Sequence, residues 1–124
     1  KLDGIQEIVI SARRLTEMGV RYVVVSLGSR GAIVVARDDE EIVVGEAPNA
    51  GIRYLEAIGS GDAMVAGIAK IVSEGGTISE MLLEGIACGY ANLFEDGPGR
   101  ISVTHRTRAL QDTLIKKEKW THKL

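Results

Sequence analysis

The chain has 124 residues, of which 45% are hydrophobic and 26% charged, as is typical of one soluble globular domain and not of a disordered chain. The formal net charge is −2, from 15 basic and 17 acidic side chains, which gives no electrostatic reason to expect nucleic acid or an anionic membrane as a partner. No apolar run approaches the roughly 20 residues of a membrane-spanning helix. The one cysteine, Cys88, cannot form an internal disulfide, so a reducing, cytoplasmic location is expected.

Hydrophobic spacing in the first half predicts a helix followed by strands. The helix covers residues 5–18 and ends at Gly19. The segment Tyr22–Leu27 is almost entirely apolar, which predicts a strand covered on both faces, as in a parallel sheet. Two further strands, Gly31–Ala36 and Glu41–Val44, are joined by a charged turn at residues 37–40. Residues 45–58 give only a weak signal, with a turn at residues 48–51.

The second half is predicted to be mainly helical. One helix runs from residue 59 to about 73, and a capping box at Thr77–Glu80 starts another that continues to about Phe94. After a loop at residues 95–99, a short helix is expected near Thr104–Ile115, and the charge run 116–119 is interpreted as a solvated helix end. Three glycines inside these helices indicate close packing between elements: Gly67, Gly85 and Gly89.

The most informative segment is Gly59-Ser60-Gly61-Asp62, where a loop meets a helix. Amides at a helix start lack intrahelical partners and carry partial positive charge, and small residues let an anion approach them. An aspartate there would repel a phosphate, unless it accepts a proton from a hydroxyl that attacks that phosphate. The alternative is that Asp62 is an ordinary first-turn residue that stabilises the helix.

Two other segments bear on a ligand site. The turn Ser26–Gly31 follows the predicted buried strand, at the strand end where open α/β sheets bind ligands, although it could equally be a plain turn. The segment Ala87–Asn92 has a small-residue helical face against which an adenine ring could lie, and plain tight packing is the alternative.

In this order, the three segments resemble the PfkB (ribokinase-like) family of carbohydrate kinases, and most closely its 1-phosphofructokinase and tagatose-6-phosphate kinase branch. The resemblance spans residues 8–103 and implies an α/β fold: the C-terminal part of a three-layer α/β/α domain, with a mixed sheet flanked by helices. It implies ATP-dependent phosphoryl transfer to a hydroxyl of a sugar phosphate, with Mg²⁺.

The resemblance also implies roles for individual residues. Asp62 would be the catalytic base, and the amides of Gly59, Ser60 and Gly61 would form the anion hole. The remaining residues implied to bind nucleotide are Ser26, Gly28, Ser29 and Gly31 in the turn, with Gly89 and Asn92 beside the adenosine. No metal-ligating residue is implied.

The sequence departs from the family in three ways. Glu56 and Ala57 stand where the family has Asn or Asp and a small hydroxylic residue, which affects the fine structure of that loop and any monovalent-cation site there. Residues 104–124 form an atypical tail. Family members are roughly twice as long, so residues 1–124 are interpreted as one partial domain that lacks the sugar-binding half.

Two other functions stay open: a nucleotide- or anion-binding module without turnover, and a non-kinase α/β domain. The missing N-terminal half of a parent chain is the expected partner, and exposed edges leave self-association open. His105 and His122 are expected to be solvated surface residues, and Cys88 a small buried side chain rather than a nucleophile.

Overall fold

The computed structural model describes residues 4–49, 59–95 and 100–119. Its helices are α1 (Ile5–Glu17), α2 (Ser60–Ser73), α3 (Ile78–Asn92) and α4 (Val103–Asp112). Its strands are β1 (Tyr22–Ser26), β2 (Ala32–Ala36), β3 (Glu41–Glu46) and β4 (Leu114–Lys119), and a single 3₁₀ turn spans Gly28–Arg30. In these described ranges no helix is long and apolar enough to cross a bilayer.

The strands form one sheet in the order β1-β2-β3-β4, and each neighbouring pair is antiparallel. Alternate residues of β2 point to opposite faces, so Ile33 and Val35 pack with Val9 and Ala12 of α1. On the other face the core joins the sheet to α3, through Ala32, Val34, Val43, Leu82 and Ile86. Helices α2 and α4 pack on α3. The three-layer α/β/α prediction is therefore confirmed.

The prediction for the first strand is wrong in one respect. β1 lies at an edge of the described sheet, pairs antiparallel with β2, and its valines are only half-buried. It is β2 that is buried along its whole length, because α1 and α3 cover its two faces. The parallel pairing that a mixed sheet needs is not found among the described strands.

The prediction that the charge run 116–119 is a helix end is also wrong. These residues belong to β4, whose Lys117 is paired with Val43 and whose Lys119 is paired with Glu41. They are nevertheless solvent-exposed, as expected. Lysines on an edge strand discourage pairing with other chains, whereas β1, at the opposite edge, carries three consecutive valines and no charge.

Most local signals are confirmed. The Thr77 hydroxyl accepts from the Glu80 amide at 3.1 Å, and the Glu80 carboxylate accepts from the Thr77 amide at 2.8 Å, which completes the capping box of α3. The hairpin between β2 and β3 is charged and mainly exposed. The last helix begins at Val103 and ends at Asp112, within a few residues of the expected bounds. Predictions for Ala50–Ile58, residues 96–99 and residues 120–124, which include Glu56, Ala57 and His122, lie outside the described residues.

Candidate active site

One cavity of about 220 Å³ joins the three segments that the sequence singled out. Its lining includes Ser26, Gly28 and Gly31 from the β1–β2 turn, Ser60 and Gly61 from the start of α2, and Gly89 from α3. These segments are separated by up to 63 positions in sequence (26 to 89) and meet only because α2 packs across α3 at the ends of β1 and β2. Six of the predicted site residues therefore lie around one space.

The start of α2 is open toward solvent. Gly59 is the N-cap in a left-handed conformation (φ 87°), and no side chain caps the helix. A Cβ placed on Gly61 would meet no atom within 4 Å, so an anion could approach that backbone closely. Asp62 lies in the first turn with its side chain exposed. The carboxylate is therefore accessible to a substrate and is not turned into the core.

The β1–β2 turn depends on glycine. Gly28 and Gly31 have φ values of 62° and 106°, which other residues rarely adopt. The Leu27 amide donates to the Gly31 carbonyl at 2.8 Å and the Gly31 amide to the Gly28 carbonyl at 3.2 Å. A Cβ on Gly31 would overlap the Gly45 carbonyl oxygen of β3. The turn thus places the backbones of Gly28 and Gly31 at the cavity wall.

The glycines of α2 and α3 allow close helix packing, as predicted. A Cβ on Gly67 would lie 2.8 Å from the Glu84 carbonyl oxygen, and one on Gly85 would lie 2.8 Å from Ile68. At Gly89 the nearest atom would be the Ser60 carbonyl oxygen, at 3.2 Å. Gly89 therefore both lines the cavity and lets the first residue of α2 rest on α3.

Comparison with known proteins decides the family. The model of the pfkB family of carbohydrate kinases matches residues 1–105, which is most of the chain. The chain belongs to the pfkB family. The resemblance drawn from the three motifs is thereby confirmed, and the match ends shortly after the start of the predicted atypical tail.

Curated relatives include two kinds of sugar-phosphate kinase. The chain is 31% identical over 91 residues to a 1-phosphofructokinase of Borreliella burgdorferi, covering 73% of this chain and 29% of that one. It is 35% identical over 83 residues to a tagatose-6-phosphate kinase of Staphylococcus epidermidis, covering 67% and 26%. The matched part of this pfkB-family chain thus spans less than a third of the length of these relatives.

Solved structures share the fold. The phosphofructokinase-2 of Escherichia coli, crystallised with substrates and products, matches with a TM-score of 0.74 and 24% identity, over 90% of this chain and 34% of that one. A tetrameric inhibited form of the same enzyme matches with a TM-score of 0.70. These matches confirm the ribokinase-like fold class.

Four predicted site residues do not line the cavity. Gly59 and Asp62 flank it at the start of α2, and Ser29 is exposed in the 3₁₀ turn. Asn92 is buried at the end of α3, with 3% of its surface exposed. Its Oδ1 accepts from the Ser60 hydroxyl at 3.3 Å, and its Nδ2 donates to the Arg100 carbonyl at 2.7 Å.

The sequence interpretation missed the apolar half of the lining, which consists of Ala47, Met64, Ile86 and Tyr90. Helical spacing could have found most of it. Met64 lies three residues after Gly61 and Ile86 lies three before Gly89, so each shares a helix face with a predicted residue; Tyr90, four after Ile86, lies on the same face as Ile86. Apolar walls with a few polar groups at one end are typical of small-molecule sites.

A second cavity, of about 320 Å³, lies at the other end of the sheet. Arg21, Asp38, Asp39, Thr77 and Lys117 are among its lining residues. It is larger, but it contains none of the motif residues, and its charged groups are of both signs. The motif-bearing cavity is therefore the better candidate for the site.

No group of three His, Cys, Asp or Glu side chains that could hold a metal ion is found among the described residues. Asp62 is the one carboxylate among the predicted site residues. The described part of this pfkB-family chain thus does not fit a protein-made magnesium site, and the chemistry proposed below involves no step through a metal.

An ion pair between a buried glutamate and a half-buried arginine anchors α4 to α3. Arg106 donates to both carboxylate oxygens of Glu84, at 2.6 and 2.7 Å, and the Cys88 thiol donates to the same carboxylate at 3.2 Å. The Arg106 hydrogen bonds hold the pKa of Glu84 below its ordinary value. The pair therefore contributes to stability at neutral pH, and this contribution is lost as the pH falls through the lowered pKa.

The environment of Cys88 disfavours a nucleophilic thiolate. Burial, and then the neighbouring Glu84 carboxylate, raise the pKa of the Cys88 thiol to about 11. The thiol is therefore protonated at neutral pH and unreactive. The prediction of a small buried side chain is confirmed.

His105, which was expected to be solvated, is half-buried instead. Its ring stacks on Phe94 with centroids 3.7 Å apart and planes at 2°, and its Nδ1 lies 2.7 Å from the Ser102 hydroxyl. The expectation was wrong because the end of α3 and the start of α4 meet side by side, which single-element spacing does not reveal.

We expect Arg106→Ala to lower the free energy of unfolding by about 2 kcal/mol, because it leaves the Glu84 carboxylate buried without its main partner. The matched control is Arg108→Ala, which removes an exposed ion pair with Asp112 in the same helix and should cost about 0.5 kcal/mol or less. Urea denaturation at pH 7 measures both. Equal losses would show that the buried pair is no more stabilising than a surface pair.

Proposed function

We propose that this chain is the nucleotide-binding and catalytic-base portion of an ATP-dependent kinase that phosphorylates a hydroxyl of a sugar phosphate, of the fructose 1-phosphate or tagatose 6-phosphate kind. The observation that carries the proposal is one cavity at which three segments meet: the β1–β2 turn, the start of α2 and the small-residue face of α3. Asp62 lies exposed at its edge. Family membership and the names of the curated relatives support this reaction class.

The geometry supports a role for each part of the site. The apolar walls at Met64, Ile86 and Tyr90 suit the flat base of a nucleotide, while the open amides of Ser60 and Gly61 suit its phosphates. As the sugar hydroxyl attacks the terminal phosphorus, Asp62 takes the hydroxyl proton, an O–P bond forms, and the bond to the departing nucleoside diphosphate breaks. Amides at the helix start stabilise the charge on the transferred group.

Mg²⁺ is expected to enter with ATP, held by phosphate oxygens and water, since that ion binds phosphates readily and keeps much of its hydration.

The expected protein partner is the rest of a kinase as long as the curated relatives. The uncharged edge of β1, beside the exposed Leu15, Met18 and Val20, is where we expect it to pack. Concentration-dependent self-association in sedimentation velocity would instead indicate a homo-oligomer. A reducing, cytoplasmic location is proposed from the free Cys88 thiol.

The proposal is tested by titrating ATP into the ¹⁵N-labelled chain and by assaying transfer to fructose 1-phosphate and tagatose 6-phosphate. We expect the largest amide shifts at Ser26–Gly31, Gly59–Asp62 and Gly89–Tyr90. The residues of the second cavity, such as Thr77 and Lys117, are the internal control and should not shift.

Each outcome selects one function. Localised shifts together with a bisphosphate product support the kinase. Localised shifts without product in the chain alone favour a nucleotide-binding module that does not turn over, because no hydroxyl is held for the base to act on. No shifts at the motif residues would contradict both and leave a non-kinase α/β domain.

A further inference from the structure

The Asn92 side chain connects three segments that the sequence keeps apart. It lies in the last residue of α3 with 3% of its surface exposed, accepts from the Ser60 hydroxyl in α2, and donates to the Arg100 carbonyl ahead of α4. The Arg100 bond is the shorter, at 2.7 Å against 3.3 Å. The side-chain amide is thus held firmly on the α4 side, with its oxygen presented to the first residue of α2.

The start of α2 needs such an anchor. Gly59, its N-cap, has no side chain, and no side chain caps the helix. The Ser60 backbone also rests on Gly89, where an added Cβ would lie 3.2 Å from the Ser60 carbonyl oxygen. The Asn92 bond and this close approach come from one turn of α3, so both fix the first turn of α2 against the same surface.

We propose that Asn92 is a positioning residue for phosphoryl transfer, holding the first turn of α2 in place through the Ser60 hydroxyl. This rests on the proposed function, in which the amides of that turn receive the transferred phosphoryl group. It differs from a nucleotide contact, since an almost fully buried side chain that already bonds Ser60 and Arg100 offers little surface to a ligand.

The side-chain amide of Asn92 suits this role better than the carboxylate of an aspartate would. Asn92 both accepts from Ser60 and donates to a carbonyl, which an ionised carboxylate cannot do. A carboxylate there would also place negative charge beside the amides that should receive a phosphate. A neutral side chain that can both accept and donate is therefore what these two bonds require.

The experiment compares Asn92→Ala, Ser60→Ala and the double variant. The amide resonances of Ser60–Ala63 are recorded without ligand, and steady-state transfer is measured with ATP and the accepting sugar phosphate. Ser102→Ala is the matched control. It removes the side-chain cap of α4, two residues after Arg100, and Ser102 has no hydrogen bond to α2 in the described residues.

In Asn92→Ala we expect shifted Ser60–Ala63 resonances and a kcat about 10- to 100-fold lower, because a small misplacement of catalytic groups costs this much. The KM for ATP should change by less than about threefold, since binding in the cavity is retained. Ser60→Ala should reproduce the kcat loss, and the double variant should be no worse than Asn92→Ala, because both changes remove the same bond. Ser102→Ala should leave the resonances and kcat unchanged.

Three results would overturn the inference. These are unshifted Ser60–Ala63 resonances in Asn92→Ala, kcat losses that add in the double variant, and a raised KM with unchanged kcat, which would indicate a direct nucleotide contact. The ligand-free spectra separate this inference from the proposed function. A wild-type chain without turnover favours the binding module over the kinase, while the ligand-free spectra of the two single variants still decide whether Asn92 holds the start of α2.

Discussion

In a full-length kinase that contains this portion, Asp62→Asn is expected to lower phosphoryl transfer by about 10³-fold or more, because the amide cannot take the proton of the attacking hydroxyl. Nucleotide affinity should change by less than about threefold, since Asp62 flanks the cavity rather than lining it and the helix-start amides are kept. Steady-state kinetics of the variant, together with ATP titration, measure the two effects separately.

Glu7→Gln is the matched control for this substitution. Helix α1 also begins after a left-handed glycine, Gly4, without a side-chain cap, and Glu7 occupies the same place in its first turn as Asp62 does in α2. Both substitutions remove the favourable interaction of a carboxylate with the helix dipole, worth about 0.5 kcal/mol. Transfer retained within tenfold in Asp62→Asn, or lost equally in Glu7→Gln, would contradict the role of Asp62 as base.

Gly31→Ala is expected to lower the free energy of unfolding by about 4 kcal/mol, the largest loss that we expect from one methyl group at a described glycine. Two costs combine: a φ of 106° is strained for alanine, and the new Cβ would overlap the Gly45 carbonyl oxygen of β3. Because the overlap is with backbone, relief requires β2 and β3 to separate. Urea denaturation followed by circular dichroism measures the loss.

Gly28→Ala separates strain from overlap. Gly28 also has a left-handed conformation (φ 62°), but a Cβ there would meet no atom within 4 Å, so only the conformational cost of about 1 kcal/mol applies. Equal destabilisation of the two variants would show that the Gly31–Gly45 approach is not tight in solution. A smaller loss for Gly31→Ala than for Gly28→Ala would rule out the predicted overlap.

Signals that act within a few residues were predicted well. The capping box of α3 is made by residues three apart. Gly59 begins α2 because a glycine readily adopts the left-handed conformation of this N-cap. The helix start at Gly59–Asp62 and the turn after β1 could therefore be predicted from the sequence. Their order along the chain was enough to indicate the family.

Features that depend on a distant partner were not predicted. Residues 116–119 have an ordinary helix propensity, and only pairing with β3 makes them a strand. An apolar run such as Tyr22–Ser26 does not reveal which faces are covered, and β1 turned out to lie at an edge. The Glu84–Arg106 pair joins α3 to α4, and the His105–Phe94 stack joins α4 to the residues just after α3, so no pattern along one element predicts them.

By itself, the sequence determined the helix and strand signals, the three glycine-containing motifs and the carboxylate at a helix start, because each is a property of adjacent residues. Only the tertiary structure decided that the motifs surround one cavity, that Gly31 must be glycine because of Gly45, and that the Asn92 side chain accepts from Ser60 and does not line that cavity. These facts depend on how α2, α3 and the sheet pack, and close packing brings together atoms whose distance along the chain carries no information about their distance in space.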